Sequence, residues 1–73
     1  MEVNVPKLRG IMAERGYSAK KLAAATGISS STLSRKMSSG AKGFTVGEMH
    51  AIVDALGLDG KEAQYIFLFQ NSH

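Results

Sequence analysis

The chain has 73 residues, a formal net charge of +3 at pH 7 and a hydrophobic fraction of 44%. This length allows a single domain over residues 1–73, with an apolar core but without room for a buried catalytic cleft. The sequence contains no cysteine and no apolar run long enough to span a bilayer, which excludes disulfides and thiolate metal sites. We therefore expect a cytoplasmic domain with no signal peptide, no enzymatic activity and no cofactor.

The charges are divided unevenly along the chain. Eight basic residues and a single acid fall between residues 7 and 42, whereas one base and four acids follow from residue 43 onwards. This division predicts a basic face that meets a polyanionic partner; the alternative is a chance scatter of solvated charges.

Two short helices are predicted at the start of the chain. Asn4 caps a first helix that ends at Gly16, with apolar residues spaced along one face. Ser18 caps a second helix, Ala19–Thr26, which ends at Gly27 because glycine readily adopts the positive φ of a helix terminus.

A third helix follows after a very short connection, Gly27 and Ile28. Ser29 caps this helix, and Leu33 and Met37 lie four residues apart on its core face. Two helices joined by so short a turn must cross at a steep angle. Residues 18–38 therefore predict a helix-turn-helix.

The last two helices begin at capping boxes, in which two side chains each accept a backbone N–H of the first turn. Thr45 and Glu48 form the first box, and Phe44 and Met49 flank it as a hydrophobic staple. Residues 59–62 form the second box, which opens a fifth helix running through residue 69. No alternating run is bounded by hairpin turns, so we predict an all-α, five-helix fold without a sheet. The core residues expected on the fourth helix are Val46, Met49, Ile52, Val53 and Leu56.

The helix-turn-helix resembles a known family. Residues 18–37, with LAAATGISSSTLSRKM at the centre, are similar to the Cro and repressor-type (XRE-like) DNA-binding proteins, especially small phage Cro-like members. The segment GFTVGEMHAIVDALGL resembles the family's fourth helix. The resemblance implies a lambda repressor-like DNA-binding fold. It also implies a homodimer that binds a pseudo-palindromic operator in double-stranded DNA and represses transcription at the nucleoid, in the cytoplasm of a bacterial host.

The outer face of the third helix is predicted to contact bases. With Leu33 and Met37 facing inward, the opposite face is short, polar, basic and free of acids, as the major groove requires. Arg35 is the strongest candidate, because its planar guanidinium suits bidentate contact with guanine O6 and N7. By resemblance, the base-reading residues are Ser30, Ser31, Ser34 and Arg35.

Contacts with phosphate are expected around the rim of the motif. Ser18 and the free N–H groups of the second helix can face a phosphate at the positive end of the helix dipole. The alternative for any one of the lysines is an ordinary solvated side chain. The predicted phosphate contacts are Ser18, Lys20, Lys21, Ser29, Lys36, Ser39 and Lys42.

Two positions depart from the family's pattern. Many relatives carry a phosphate-binding Gln at the start of the second helix, where this chain has Ala19. Late in the third helix, where relatives often have an apolar residue, the chain has Lys36 followed by Met37. Either the end of this helix is rotated, or Met37 takes over the packing role.

A dimer interface is predicted in residues 61–70. Five consecutive apolar residues there would wrap the whole circumference of a helix, so some of them would be exposed in a monomer. The alternative is a C-terminal helix that its own chain covers. The predicted interface residues are Tyr65, Ile66, Phe67, Leu68 and Phe69.

A second function stays open beside DNA binding. The serine-rich face and Ala19 are also compatible with a protein-interaction module, antirepressor or antitoxin-like, that keeps the fold but binds a partner protein.

His50 and His73 have no ligand partners at suitable spacing, and two Ser-x-x-Lys matches lack the partners of acyl-transfer enzymes. We expect no metal, no small-molecule ligand and no membrane partner.

Overall fold

The computed structural model describes residues 2–38 and 43–68 of the chain. Within them, five α-helices lie between two strands of two residues each. The prediction of an all-α, five-helix domain is confirmed. The elements in chain order are β1 (Glu2–Val3), α1 (Val5–Glu14), α2 (Ala19–Thr26), α3 (Ser30–Ser38), α4 (Val46–Leu56), α5 (Gly60–Ile66) and β2 (Phe67–Leu68).

All five helices begin at the side chains that the sequence predicts. Asn4, Ser18 and Ser29 each accept the backbone N–H three residues further on, at 3.1–3.2 Å. Thr45 and Glu48 close a reciprocal capping box at the start of α4, and residues 59–62 close another at α5. These contacts satisfy donors that have no partner within the helix, and so fix where each helix starts.

The core receives one completely buried side chain from each helix. These residues have a relative exposure of 0% and lie in one contiguous apolar cluster. The helix α2 packs on both α3 and α4, and α1 packs on α5. The five residues are Leu8, Leu22, Leu33, Ile52 and Ile66.

The first turn of α4 differs from the prediction. Val46 was expected in the core, but its side chain is 59% exposed. The buried residues at this point are Phe44, which precedes the cap, and Met49, in the arrangement expected of a hydrophobic staple. Because Phe44 occupies the core from outside the helix, the first helical residue is left on the surface.

The end of α5 also differs from the prediction. The helix stops at Ile66, and Phe67–Leu68 pairs in antiparallel fashion with Glu2–Val3, with Val3 opposite Phe67. Asn4 N–H continues the pairing by donating to the carbonyl of Ile66 at 2.6 Å. The expectation of a fold without a sheet is therefore wrong for these four residues. The expected helical end at Phe69 lies outside the described residues.

Candidate nucleic-acid interface

The turn between α2 and α3 is fixed by a glycine and a threonine. Gly27 has a φ of +79°, and its N–H donates to the carbonyl of Ala23 at 3.0 Å. The hydroxyl of Thr26 donates to the carbonyl of Leu22 at 2.8 Å and accepts the N–H of Ile28 at 3.3 Å. The predicted helix-turn-helix is thus present, and Thr26 is a contributor to it that sequence reasoning missed.

The predicted base-reading residues lie together on the exposed face of α3. Leu33 and Met37 are buried beneath the helix, as expected, and fix its rotation. The helix contains no acidic residue, and its basic residues fall in the last turn. A basic guanidinium beside several hydroxyls is therefore available to a groove. The four exposed residues are Ser30, Ser31, Ser34 and Arg35.

The start of α2 presents a helix N-terminus and two exposed lysines. The Ser18 hydroxyl accepts the N–H of Lys21, while the ammonium of Lys21 lies 4.7 Å from the centre of the Tyr17 ring. Tyr17 donates its hydroxyl to the carbonyl of Ala55 at 3.1 Å, so α4 holds this ring in place. Tyr17 is a second residue that sequence reasoning missed: it positions a predicted phosphate contact by a cation–π interaction.

The position where relatives often carry a phosphate-binding glutamine is used differently here. Ala19 is half-buried and packs against the core, whereas Lys20 beside it is exposed. The predicted phosphate contacts at this end of α2 are therefore Ser18, Lys20 and Lys21. Ser29 is exposed too, but its hydroxyl already accepts the N–H of Thr32 and donates to Thr32 Oγ1 at 2.7 Å.

Lys36 is not placed as the sequence predicted. Its ammonium lies 2.6 Å and 2.9 Å from the two carboxylate oxygens of Glu48, and the two side chains are only 15% and 20% exposed. Lys36 is therefore not a solvated cation on the rim of the motif, because an anion of the same chain already neutralises it, and its contact with phosphate stays a prediction. Of the two explanations for a lysine at a position that is often apolar in relatives, the structure supports packing by the next residue. Met37 is buried and takes over the packing role.

The carboxyl group of Glu48 is held charged by its neighbours. The hydrogen bond from Lys36 is the main reason that its pKa is lowered, and the backbone N–H of Thr45 lowers the pKa further. That N–H donates to Oε1 at 2.9 Å, as part of the capping box of α4. One carboxylate thus serves both the start of α4 and the end of α3.

The predicted dimer segment is only partly available to a partner. Tyr65 is 62% exposed, but Ile66 and Phe67 are completely buried in their own chain, and we remove them from the predicted interface. The expectation that all five residues wrap one helix is wrong, because α5 ends at Ile66 and Leu68 lies in β2. Phe69, like the predicted phosphate contacts Ser39 and Lys42, lies outside the described residues.

The second ion pair of the described residues also joins the basic part of the chain to the acidic part. Arg15 donates to both carboxylate oxygens of Glu62, at 2.8 Å and 3.1 Å, and to the carbonyl of Leu56 at 2.5 Å. The basic excess of the first half is therefore partly neutralised within the fold. Lys20, Lys21 and Arg35 stay exposed on the helix-turn-helix.

Other kinds of site find little support in the described residues. Residues 2–38 and 43–68 contain no group of three His, Cys, Asp or Glu that could hold a metal ion. None of the helices described is both long enough and apolar enough to cross a membrane.

Comparison with known proteins identifies the family. Residues 7–62 match the family described as the Cro/C1-type helix-turn-helix (HTH) DNA-binding domain. The match begins within α1 and extends into α5, so it includes the whole helix-turn-helix. No curated protein and no solved structure matches the chain significantly. Since the match covers more than half of the sequence, the chain belongs to the Cro/C1-type helix-turn-helix DNA-binding family.

Proposed function

We propose that this protein is a sequence-specific repressor of Cro type that inserts α3 into the major groove of double-stranded DNA. The observation that best supports the proposal is the exposed, acid-free face of α3, which projects away from the buried Leu33 and Met37. A helix of this kind fits the width of the major groove, where each base pair presents a distinct pattern of donors and acceptors.

Within that face, Arg35 is proposed to set the preferred sequence. Its guanidinium can donate two parallel hydrogen bonds to O6 and N7 of one guanine. Ser30, Ser31 and Ser34 can both donate and accept, so they tolerate several bases and adjust the preference. The exposed polar side chains of α3 therefore support readout of a few base pairs with one dominant contact.

The rim of the motif is proposed to hold the phosphate backbone. Ser18, Lys20 and Lys21 lie together at the N-terminus of α2, where the helix dipole and the free N–H groups favour an anion. Ser29, Ser39 and Lys42 stay further candidates from the sequence. Contacts of this type orient the protein on the duplex without reading its sequence.

We further propose that two copies bind the two halves of a pseudo-palindromic operator. The exposed face of one α3 is too small to select a unique site, whereas two recognition helices one DNA turn apart multiply their selectivity. The exposed ring of Tyr65 supports a contact between copies from within residues 61–70. Bound in this way at the bacterial nucleoid, the protein would exclude RNA polymerase or a rival repressor from the operator.

Selection from a pool of random duplexes tests this function. The protein is mixed with the pool, bound duplexes are recovered at increasing salt, and the survivors are sequenced. We expect one enriched motif with two-fold symmetry, guanine in each half, and half-site centres about 10 base pairs apart. Native mass spectrometry of the selected duplex should show two chains per duplex. One chain per duplex would contradict the dimer but not the recognition of DNA.

The rival function has a different outcome in the same experiment. A protein-interaction module would enrich no motif, and its retention on DNA would not fall steeply with salt. It would instead co-elute with a partner protein at high salt. The absence of an enriched motif together with salt-insensitive co-elution would overturn the repressor function and favour an antirepressor or antitoxin-like role.

A further inference from the structure

The pair formed by Lys36 and Glu48 joins the recognition helix to the helix that follows it. Lys36 lies in the last turn of α3, and Glu48 lies in the first turn of α4. Both carboxylate oxygens accept from the ammonium, at 2.6 Å and 2.9 Å. Charge-assisted hydrogen bonds of this length are stronger than those between neutral groups.

The surroundings of the pair hold both partners in place. The ammonium of Lys36 lies 5.9 Å from the centre of the Phe44 ring, and a side chain added at Gly43 would meet the Lys36 stem at 3.5 Å. The carboxylate of Glu48 is held from the other side by the backbone N–H of Thr45. Moving Lys36 toward DNA would therefore break its contacts with both Glu48 and the Phe44 ring.

The position of Lys36 on α3 makes this arrangement relevant to DNA. Lys36 follows Arg35 by about 100° around the helix axis, which places it on the flank of the base-reading face. A lysine on that flank would reach the phosphates at the edge of the groove if it were released. Its release would also leave the Glu48 carboxylate unpaired near the DNA, where like charges repel.

We propose, on the basis of the function proposed above, that Glu48 limits the affinity of this protein for DNA of any sequence by retaining Lys36 in an intramolecular pair. Each lysine that contacts phosphate releases a counterion and steepens the salt dependence of binding. With Lys36 retained, the protein binds arbitrary DNA with one phosphate contact fewer than it would make if Lys36 were released. Glu48 is thus a determinant of background binding, although it contacts neither bases nor phosphates.

The test measures the affinity of the intact protein for a duplex of arbitrary sequence at a series of salt concentrations. Fluorescence anisotropy of the labelled duplex reports binding. Glu48→Gln keeps a side chain that can complete the capping box but removes the charge that holds Lys36. We expect its slope of log affinity against log salt to become more negative by about 0.9, with affinity at low salt raised about threefold. Lys21→Gln should change the slope by a similar amount in the opposite direction.

Two further variants separate release of Lys36 from a general change of charge. Asp54→Asn removes an exposed acid from the same helix and should alter the slope much less than Glu48→Gln. The double variant Lys36→Gln/Glu48→Gln keeps the net charge and should return to the wild-type slope. Circular dichroism checks that each variant is helical, and the double variant carries the test if Glu48→Gln does not fold.

The possible failures are distinguishable. If Glu48→Gln and Asp54→Asn have the same slope, or if the double variant has a shallower slope than the wild type, Glu48 does not retain Lys36 and the inference is wrong. The function proposed above survives either result. If the wild-type protein shows no salt-dependent binding to DNA, both that function and this inference are overturned.

Discussion

Under the proposed function, we expect Arg35 to account for most of the sequence preference because of the residues around it. Its neighbours on the exposed face are serines, which offer one hydroxyl each and discriminate weakly between bases. Its own guanidinium offers a planar pair of donors that matches one edge of guanine. A charge alone would attract phosphate at any sequence, so the shape of this side chain can be tested separately from its charge.

Arg35→Lys is expected to lose operator preference while keeping affinity for arbitrary DNA within about twofold, because the charge stays and the two parallel donors are lost. The bidentate contact accounts for about 1–3 kcal/mol, so operator affinity should fall about 5- to 150-fold. Anisotropy titrations with the selected operator and a scrambled duplex measure both values. Arg9→Lys, on the exposed side of α1, is the matched control. An unchanged operator preference in Arg35→Lys would show that the residue supplies charge only.

At the level of the helices, all five starts could be predicted, but the end of α5 could not. Caps and capping boxes are local: the interacting residues are three positions apart, so the sequence contains the whole signal. The end of α5 depends on a strand pairing between Glu2–Val3 and Phe67–Leu68, which no local pattern reports. The same limit applies to Lys36, whose ion pair with Glu48 could not be predicted because the two residues are 12 positions apart. Val46 was misassigned because periodicity alone does not show that Phe44 fills the core from outside the helix.

The stability of the turn between α2 and α3 should depend on the backbone conformation of Gly27 and not on a lack of room for a side chain there. A Cβ at this position would meet nothing within 4 Å, but φ is +79°, where other residues are strained. Gly27→Ala should therefore lower the free energy of unfolding by about 1 kcal/mol or more. Gly10→Ala is the control, because it lies within α1, is equally free of contacts, and should raise stability by up to about 1 kcal/mol. Urea denaturation measures both, and equal effects of the two would refute the argument.

The connection between α3 and α4 should weaken in acid. The pKa of Glu48 is lowered in the folded protein, chiefly by Lys36, so the stabilisation by this pair is complete above the ordinary pKa of about 4.3. It is lost as the pH falls through the lower folded pKa. Relative to the wild type, Glu48→Gln should melt about 1–8 °C lower at pH 7, and this difference should vanish in strong acid. Melting curves between pH 7 and pH 2.5 measure it; a difference that does not change with pH would refute the assignment.

At the scale of the whole molecule, Arg15 connects three helices, α1, α4 and α5. It lies just after α1, donates to the carbonyl of Leu56 at the end of α4, and pairs with Glu62 in α5. Glu62 also completes the capping box of α5, so one carboxylate fixes both the start of α5 and its contact with α1. The matched family region ends at this same residue, Glu62.

Arg15→Gln should therefore destabilise the whole domain without altering the face of α3 that is proposed to read DNA. The loss of the contacts with Leu56 and Glu62, which are partly exposed, should cost about 1–2 kcal/mol and lower the melting temperature by about 4–15 °C. Arg9→Gln, exposed on α1, should change stability by less than about 0.5 kcal/mol. Calorimetry compares the two, and operator affinity well below the melting point should equal that of the wild type. Equal melting temperatures of the two variants would refute the connecting role of Arg15.

The short strand pair has a topological consequence. Because Glu2 pairs with Leu68, two residues that are far apart in the sequence lie next to each other in space. A short linker between these two positions would turn the fold into a ring, which could then be reopened at an exposed turn residue such as Gly57. The order of the helices in the sequence could thus be changed while their packing is kept. We expect such a circular permutant to present the same surface to a duplex.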